Sequence, residues 1–84
     1  MLTENVSNLV VLGSTGSIGR QTLEVVDLHP GRFKVTGLAA YDELDLLAEQ
    51  VKKYQPRLVA LGNASLYSQC RSRLGNRVEL LTGV

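Results

Sequence analysis

One stretch decides the fold of this chain: Leu9-Val10-Val11-Leu12-Gly13-Ser14-Thr15-Gly16-Ser17-Ile18-Gly19. It begins with an apolar run, continues with a glycine at every third position, and leads into residues 17–28, whose pattern predicts a helix. A strand, a glycine turn and a helix in this order bring backbone N–H groups and a helix N-terminus against a phosphate group. The stretch therefore predicts a phosphate-binding turn.

Each glycine of this turn has a predicted role. Gly13 lets the chain turn sharply as it leaves the strand, and Gly19 lets the helix pack closely against that strand. Gly16 has no Cβ, so that a pyrophosphate can approach the backbone. The spacing is G-x-x-G-x-x-G rather than G-x-G-x-x-G, so a plain glycine turn between strand and helix remains an alternative.

Three hydroxyl residues of the turn, Ser14, Thr15 and Ser17, favour the phosphate interpretation. Their side chains can cap the following helix or donate to phosphate oxygens, and both roles suit this position. A βαβ context strengthens the same interpretation, because the turn would then stand at the first crossover of a parallel sheet.

The composition is typical of a small globular domain. The chain has 84 residues, a net charge of +1 and 20% charged residues, which indicates no nucleic-acid footprint. A single cysteine, Cys70, excludes an internal disulfide framework and fits a reducing compartment. No apolar stretch approaches the roughly 20 residues that span a bilayer, and residues 1–7 lack the features of a secretory signal. We therefore expect a soluble cytoplasmic protein.

Strand and helix patterns alternate along the chain. The predicted strands cover residues 9–12, 33–40, 58–61 and 78–81, and the predicted helices cover residues 17–28, 44–54 and 65–74. This order with short connections predicts a parallel sheet with right-handed crossovers. The fold class is therefore α/β, as part of a doubly wound parallel sheet with about four strands and three helices.

The helices also carry predictions of detail. Asp42 is expected to cap the second helix and Ser65 the third, and Gly75 is expected to end the third helix. The predicted inward face of the first helix is Ile18, Thr22, Val25 and Val26.

The end of the second predicted strand carries the next piece of chemistry. In a doubly wound fold the residue about 20 positions after the glycines meets the adenosine ribose, and Asp42 stands near that position. An acid there accepts hydrogen bonds from ribose hydroxyls and repels a 2′-phosphate, so Asp42 favours NAD(H) over NADP(H). Alternatively, Asp42 and Glu43 simply stabilise the positive end of the second helix, and both roles can hold together.

Several segments together resemble a known family. They are Leu12 to Gly19, Thr22 to Val26, His29-Pro30, Arg32-Phe33, Val35, Leu38 to Ala40, Leu47 to Gln50, and Gln55 to Arg57. This pattern strongly resembles the N-terminus of 1-deoxy-D-xylulose 5-phosphate reductoisomerase, over about residues 8–84.

The resemblance implies a Rossmann-like, NADPH-dependent enzyme of the non-mevalonate isoprenoid route. Such enzymes rearrange 1-deoxy-D-xylulose 5-phosphate and reduce the product to 2-C-methyl-D-erythritol 4-phosphate. They use a divalent metal and act as homodimers in the bacterial cytosol or in plastids. The implied cofactor-binding residues are Gly13, Ser14, Thr15, Gly16, Ser17, Ile18, Gly19, Ala40, Tyr41, Asp42 and Glu43. Thr15 to Ile18 would line the pyrophosphate, and Tyr41 to Glu43 the adenosine ribose.

The chain departs from the family at the ribose positions. Family members place a small residue, a basic residue and often asparagine where this chain has Tyr41, Asp42 and Glu43. A like charge at about 4 Å costs on the order of 4 kcal/mol at an effective dielectric of about 20, and less when solvated. The preference for NADPH over NADH is therefore open, and Arg20 or Lys34 are the basic residues considered as compensation.

The second departure is length. Family members are several times longer, and their metal-binding carboxylates and substrate-phosphate site follow the region present here. Residues 1–84 are thus expected to form the N-terminal part of a dinucleotide-binding domain, without a catalytic or metal-binding residue and without activity alone.

Two alternatives remain: a stand-alone nucleotide-binding or regulatory module, and a fragment of another Rossmann reductase such as a semialdehyde-type dehydrogenase. The expected partner is a dinucleotide, with a sugar phosphate only in a full-length enzyme, and neither nucleic acid nor membrane.

Overall fold

The apolar segments predicted as strands lie side by side in one parallel sheet. The computed structural model describes residues 6–82, so residues 1–5 and 83–84 lie outside the described residues. The strands are β1 (Ser7–Leu12), β2 (Phe33–Ala40), β3 (Leu58–Leu61) and β4 (Glu79–Thr82), in the order β1-β2-β3-β4. The helices are α1 (Ser17–Leu28), α2 (Leu44–Tyr54) and α3 (Tyr67–Leu74). The predicted α/β class with four strands and three helices is confirmed.

Only the first and last strands differ from their predicted bounds. β1 begins at Ser7 instead of Leu9, because parallel pairing uses backbone groups and extends through the polar residues: Ser7 is opposite Phe33. β4 ends at Thr82 and begins at Glu79, one residue later than predicted, where Glu79 N–H donates to the Arg57 carbonyl at 2.8 Å.

One face of the sheet holds the core. Each strand is added beside the one that precedes it in the chain, and always in the same direction across the sheet. Right-handed crossovers therefore place all three helices on a single face of the sheet. Alternate strand residues are buried beneath those helices, and the central ones are Val11, Leu38, Val59, Leu61 and Leu80. They pack with the buried helix residues Leu23, Val26, Leu47, Val51, Cys70 and Leu74. On the opposite face Val10 and Leu12 are exposed.

The predicted inward face of α1 is wrong in part. Ile18 is 74% exposed, and Val25 and Thr22 are also exposed, whereas Gly19, Leu23 and Val26 are buried. The helix is thus rotated by about one residue from the predicted orientation. Gly19 sets this rotation, since its backbone lies against the carbonyl of Gly13 and turns the neighbouring apolar residue 18 outward.

Both predicted cap residues are also wrong. The N-cap of α2 is Glu43 rather than Asp42, and no side chain caps this helix. In the third helical segment Asn63 performs the role predicted for Ser65, as its side chain accepts from Ser65 N–H at 3.1 Å. A 3-10 turn, Ala64–Leu66, consequently precedes α3. Gly75 ends α3 with a φ of +70°, as predicted.

Candidate functional site

The turn between β1 and α1 has the shape predicted from its glycines. Gly13 has a φ of +64°, a left-handed conformation that glycine adopts without strain. The next residue, Ser14, donates its N–H to the Ala39 carbonyl of β2 at 2.9 Å, and Gly16 N–H donates to the Gly13 carbonyl at 2.9 Å. The predicted sharp turn at Gly13 is therefore confirmed.

Gly19 allows the close packing predicted for it. A Cβ at this position would lie 2.1 Å from the Gly13 carbonyl oxygen and 2.7 Å from Ser14 Cα. Only a residue without a side chain fits there, because both contacts are backbone atoms. A Cβ on the exposed Gly16 would meet only the Gly13 oxygen, at 3.4 Å, so the predicted role of Gly16 depends on a ligand and stays a prediction.

The N-terminus of α1 is free of side-chain caps. Its N-cap is Gly16, and the first helical bond runs from Arg20 N–H to the Gly16 carbonyl at 2.9 Å. Within residues 6–82, no backbone carbonyl outside the helix accepts from the N–H groups of Ser17, Ile18 or Gly19. First-turn N–H groups without acceptors, together with the helix dipole, form an anion-binding site.

The hydroxyls of the turn are not equivalent, and none caps α1. Ser17 is exposed and Thr15 is half-buried, so both side chains border the surface of the turn. Ser14 is fully buried, which puts its hydroxyl out of reach of a ligand on that surface. Of the two roles considered for these hydroxyls, capping is therefore wrong, and donation to phosphate stays a prediction for Thr15 and Ser17.

A residue of α2 also contacts the turn, and the sequence analysis did not assign it a role. Gln50 is 7% exposed, and its Nε2 donates to the Ser14 carbonyl at 2.8 Å. The sequence did contain a signal, because Gln50 is a polar residue in the apolar stripe that includes Leu47 and Val51. The partner, 36 positions away along the chain, could not be identified from that pattern.

The residues predicted for the ribose lie at the same edge of the sheet. Ala40 is buried, whereas Tyr41, Asp42 and Glu43 are exposed. The Tyr41 ring lies over Gly62, where an added Cβ would be 2.5 Å from Tyr41 Cδ1. An open apolar depression of about 290 Å³ lies between Leu12 and Gly13 on one side and Tyr41 and Gly62 on the other. The fold therefore brings the glycine turn and the end of β2 together.

The charge at this edge is negative on the β2 side. Among residues 6–82 the ion pairs are Lys53–Asp27 and Arg73–Asp45, so neither Asp42 nor Glu43 has a basic partner. Lys34 stands at the opposite end of β2, about 20 Å from Ala40 at the usual rise of a strand, so it does not compensate for Asp42.

Arg20 is the other basic residue considered as compensation. It lies in the first turns of α1 and lines the groove between α1 and α2 together with Leu46 and Glu49. It therefore stands at the same end of the sheet as Asp42, in a groove that it shares with the carboxylate of Glu49.

Three other features would also bear on function: a metal site, a reactive cysteine and a membrane-spanning helix. No group of three or more His, Cys, Asp or Glu residues in the described range could hold a metal ion. Burial raises the pKa of the Cys70 thiol, which is 1% exposed. No helix within residues 6–82 has the length and apolar character needed to cross a membrane.

The family model of 1-deoxy-D-xylulose 5-phosphate reductoisomerase matches residues 9–84. The chain belongs to this family. The reductoisomerase of Synechococcus sp. strain JA-2-3B'a(2-13) is 47% identical over 76 residues, which cover 90% of this chain and 18% of that relative. The predicted resemblance is confirmed, and the alternative of another Rossmann reductase is set aside.

Solved reductoisomerase structures have the same fold. The enzyme from Zymomonas mobilis in complex with NADPH superposes with a TM-score of 0.86 and 30% identity, covering 94% of this chain and 21% of its own. A reductoisomerase in complex with NADPH, fosmidomycin and magnesium gives a TM-score of 0.83 at 28% identity, over 92% of this chain and 19% of its own. The chain thus spans about a fifth of the length of the relatives it matches.

Proposed function

We propose that this chain is the N-terminal NADP(H)-binding segment of a 1-deoxy-D-xylulose 5-phosphate reductoisomerase. The observation that carries the proposal is the uncapped N-terminus of α1, whose first-turn N–H groups follow the turn formed by Gly13 and Gly19. A pyrophosphate supplies the acceptors that these N–H groups lack. The NADPH complex of the Zymomonas mobilis relative, which shares this fold, supports the choice of ligand.

The predicted site residues divide into three groups by their surroundings. Gly13, Ser14 and Gly19 shape the turn, since Gly13 has a left-handed conformation, Ser14 is buried and Gly19 is tightly packed. The accessible residues that would contact the pyrophosphate are Thr15, Gly16, Ser17 and Ile18. The adenosine ribose would lie beside Ala40, Tyr41, Asp42 and Glu43, across the apolar depression from the turn.

Asp42 is the residue at which the two coenzymes are distinguished. Its carboxylate is exposed and has no basic partner among the described residues, so a ribose 2′-phosphate beside it meets an unneutralised like charge. Solvation reduces the repulsion below the roughly 4 kcal/mol expected at about 4 Å in a medium of dielectric about 20. We therefore propose NADP(H) as the family's coenzyme, with NAD(H) bound at comparable strength by this chain.

The activity proposed for the whole protein is isomerisation of 1-deoxy-D-xylulose 5-phosphate followed by reduction to 2-C-methyl-D-erythritol 4-phosphate. NADPH supplies the hydride when bound. The divalent metal, the sugar-phosphate site and the homodimer belong to this proposal through the family, as does a cytoplasmic location. Since residues 6–82 offer no metal-binding cluster, we propose that the metal ligands and the catalytic residues lie outside this chain.

Titration with NADPH tests the proposal directly. We expect saturable binding by calorimetry, with the largest amide chemical-shift changes at Thr15, Gly16, Ser17 and Ile18. Shift changes confined to α3, or no binding at all, would contradict it. The second candidate function is a stand-alone nucleotide-binding module, which would use the same uncapped N-terminus of α1. The substrate, NADPH and a divalent metal should give no turnover with this chain, and measurable activity would show that the chain carries catalytic residues.

A further inference from the structure

The two residues with buried polar side chains in the described range contact each other. They are Ser14 in the glycine turn and Gln50 in α2, with 0% and 7% of their surface exposed. Every other buried side chain of residues 6–82, glycines aside, belongs to the apolar core or to Pro56. Burying an amide costs free energy unless it is hydrogen-bonded, so a polar residue at position 50 is not explained by packing alone.

The contact fixes a backbone group of the turn. Gln50 Nε2 donates to the Ser14 carbonyl at 2.8 Å, while Ser14 N–H donates to the Ala39 carbonyl at 2.9 Å. Both polar backbone groups of residue 14 are therefore held, one by α2 and one by β2. The adjoining residues Gly13 and Gly16 are joined by their own backbone bond. The conformation that presents the first-turn N–H groups of α1 thus depends on α2.

The same pair carries an energetic penalty. Ser14 Oγ and Gln50 Oε1 are buried without a hydrogen-bond partner among the described residues. An apolar residue of similar size would avoid the penalty at Gln50, but it would leave the Ser14 carbonyl unpaired beneath the turn. Keeping a partly satisfied polar pair in the core is consistent with a requirement on the shape of the turn.

We propose that Gln50 is a positioning residue that holds the glycine turn in its anion-binding conformation through the Ser14 carbonyl. This inference rests on the proposed function, since it concerns the same dinucleotide site. Gln50 touches no ligand in this scheme. It acts on the pyrophosphate through the turn, so the affinities for NADPH and NADH should depend on Gln50 equally.

The test compares Gln50→Met, which keeps the length of the side chain and removes the donor, with Cys70→Ala. The control removes the buried thiol of α3. This helix connects β3 to β4, at the opposite side of the sheet from β1 and the glycine turn. We expect Gln50→Met to weaken both coenzymes about tenfold and to speed amide exchange at residues 13–19. Cys70→Ala should lower Tm while leaving both affinities within about twofold. A Gln50→Met protein with a lower Tm but unchanged affinities and exchange would overturn the proposal.

A second variant covers the case in which Gln50→Met does not fold. The carboxyl introduced by Gln50→Glu donates to the Ser14 carbonyl only while protonated, so coenzyme affinity should rise as the pH falls from about 8 to about 5. The charged residues of the same groove, Arg20, Glu24, Asp27, Glu49 and Lys53, are shared with the wild type, whose pH profile is the control. Identical profiles would refute the role of Gln50.

The two proposals fail in different ways. A wild-type chain that binds neither NADPH nor NADH contradicts the dinucleotide site. Amide exchange in the free protein still tests Gln50 in that case, because it measures the turn without any ligand.

Discussion

Two turns at the carboxyl edge of the sheet, β1–α1 and β2–α2, are built in opposite ways. The β1–α1 turn is fixed by its backbone, through the left-handed Gly13, the packing of Gly19 and the bonds to Ser14. The β2–α2 turn instead presents the exposed side chains of Tyr41 and Asp42, without a side-chain cap on the helix. The comparison teaches that the proposed pyrophosphate part of the site is fixed by backbone contacts, while the part proposed to distinguish the coenzymes depends on exposed side chains and their charge.

The largest effect in the β1–α1 turn is expected for Gly19→Ala. The new Cβ would lie 2.1 Å from the Gly13 carbonyl oxygen, and the clash cannot be relieved by a side-chain movement because both contacts are backbone atoms. We therefore expect the free energy of unfolding to fall by at least about 3 kcal/mol, or the protein not to fold. Thermal unfolding followed by circular dichroism measures it. Gly16→Ala is the matched control, with a contact of 3.4 Å and an expected change below about 1 kcal/mol. Equal losses in the two variants would contradict the special packing of Gly19.

Gly13→Ala is expected to have the next largest effect. The space around Gly13 is open, but its φ of +64° costs a residue with a Cβ about 1–2 kcal/mol. Chemical denaturation measures this loss of stability. Gly13→Asn should recover part of it, because asparagine tolerates the left-handed region better than alanine. If Gly13→Ala and Gly13→Asn were both as stable as the wild type, the turn would not need this conformation.

The exposed turn is tested by Asp42→Asn. Removing the carboxylate should raise the affinity for NADPH several-fold, up to about tenfold, and leave the affinity for NADH nearly unchanged. Only NADPH carries a 2′-phosphate on the adenosine ribose. Calorimetry at low and at physiological salt should show the gain shrinking with ionic strength. Glu79→Gln removes the same charge at the amino end of β4 and serves as the control. A gain of the same size for both coenzymes would place Asp42 away from the 2′-phosphate.

The smallest effect is expected where α1 and α2 meet far from both turns. Lys53 Nζ lies 2.8 Å from Asp27 Oδ2, and this contact with Lys53 is the main reason that the pKa of Asp27 lies below its usual 3.8. The folded state therefore gains stability from ionised Asp27 at pH values above 3.8, and loses it as the pH falls through the lower pKa of the folded protein. The pair is partly exposed, so the gain is small.

Asp27→Asn should accordingly lower Tm slightly at neutral pH, and the difference from the wild type should vanish in strong acid. Thermal melts across an acid pH series measure this. Dinucleotide affinity should not change, which separates the α1–α2 contact from the two turns. A Tm difference that persists at low pH would mean that packing, and not the charge of Asp27, accounts for the effect.

Local sequence patterns determined much of this protein. The bounds of α1, β2, α2 and β3 follow from apolar periodicity and from breakers such as Pro30 and Pro56, because these signals act between residues close together in the chain. The glycine turn and the family could be predicted for the same reason. The cofactor contacts of the site remain predictions, since they require a ligand.

Tertiary structure alone decided how those elements face one another. The buried side of α1 was mispredicted because periodicity alone does not distinguish Ile18, Thr22 and Val25 from the equally spaced Gly19, Leu23 and Val26, and the close packing of Gly19 on the Gly13 carbonyl goes with the second set facing the sheet. The Gln50 bond to Ser14 joins residues 36 positions apart, and no local pattern contains such a pair. Sequence periodicity specifies which segments are helix or strand, whereas orientation and long-range hydrogen bonds are fixed only when backbone atoms of different segments come into contact.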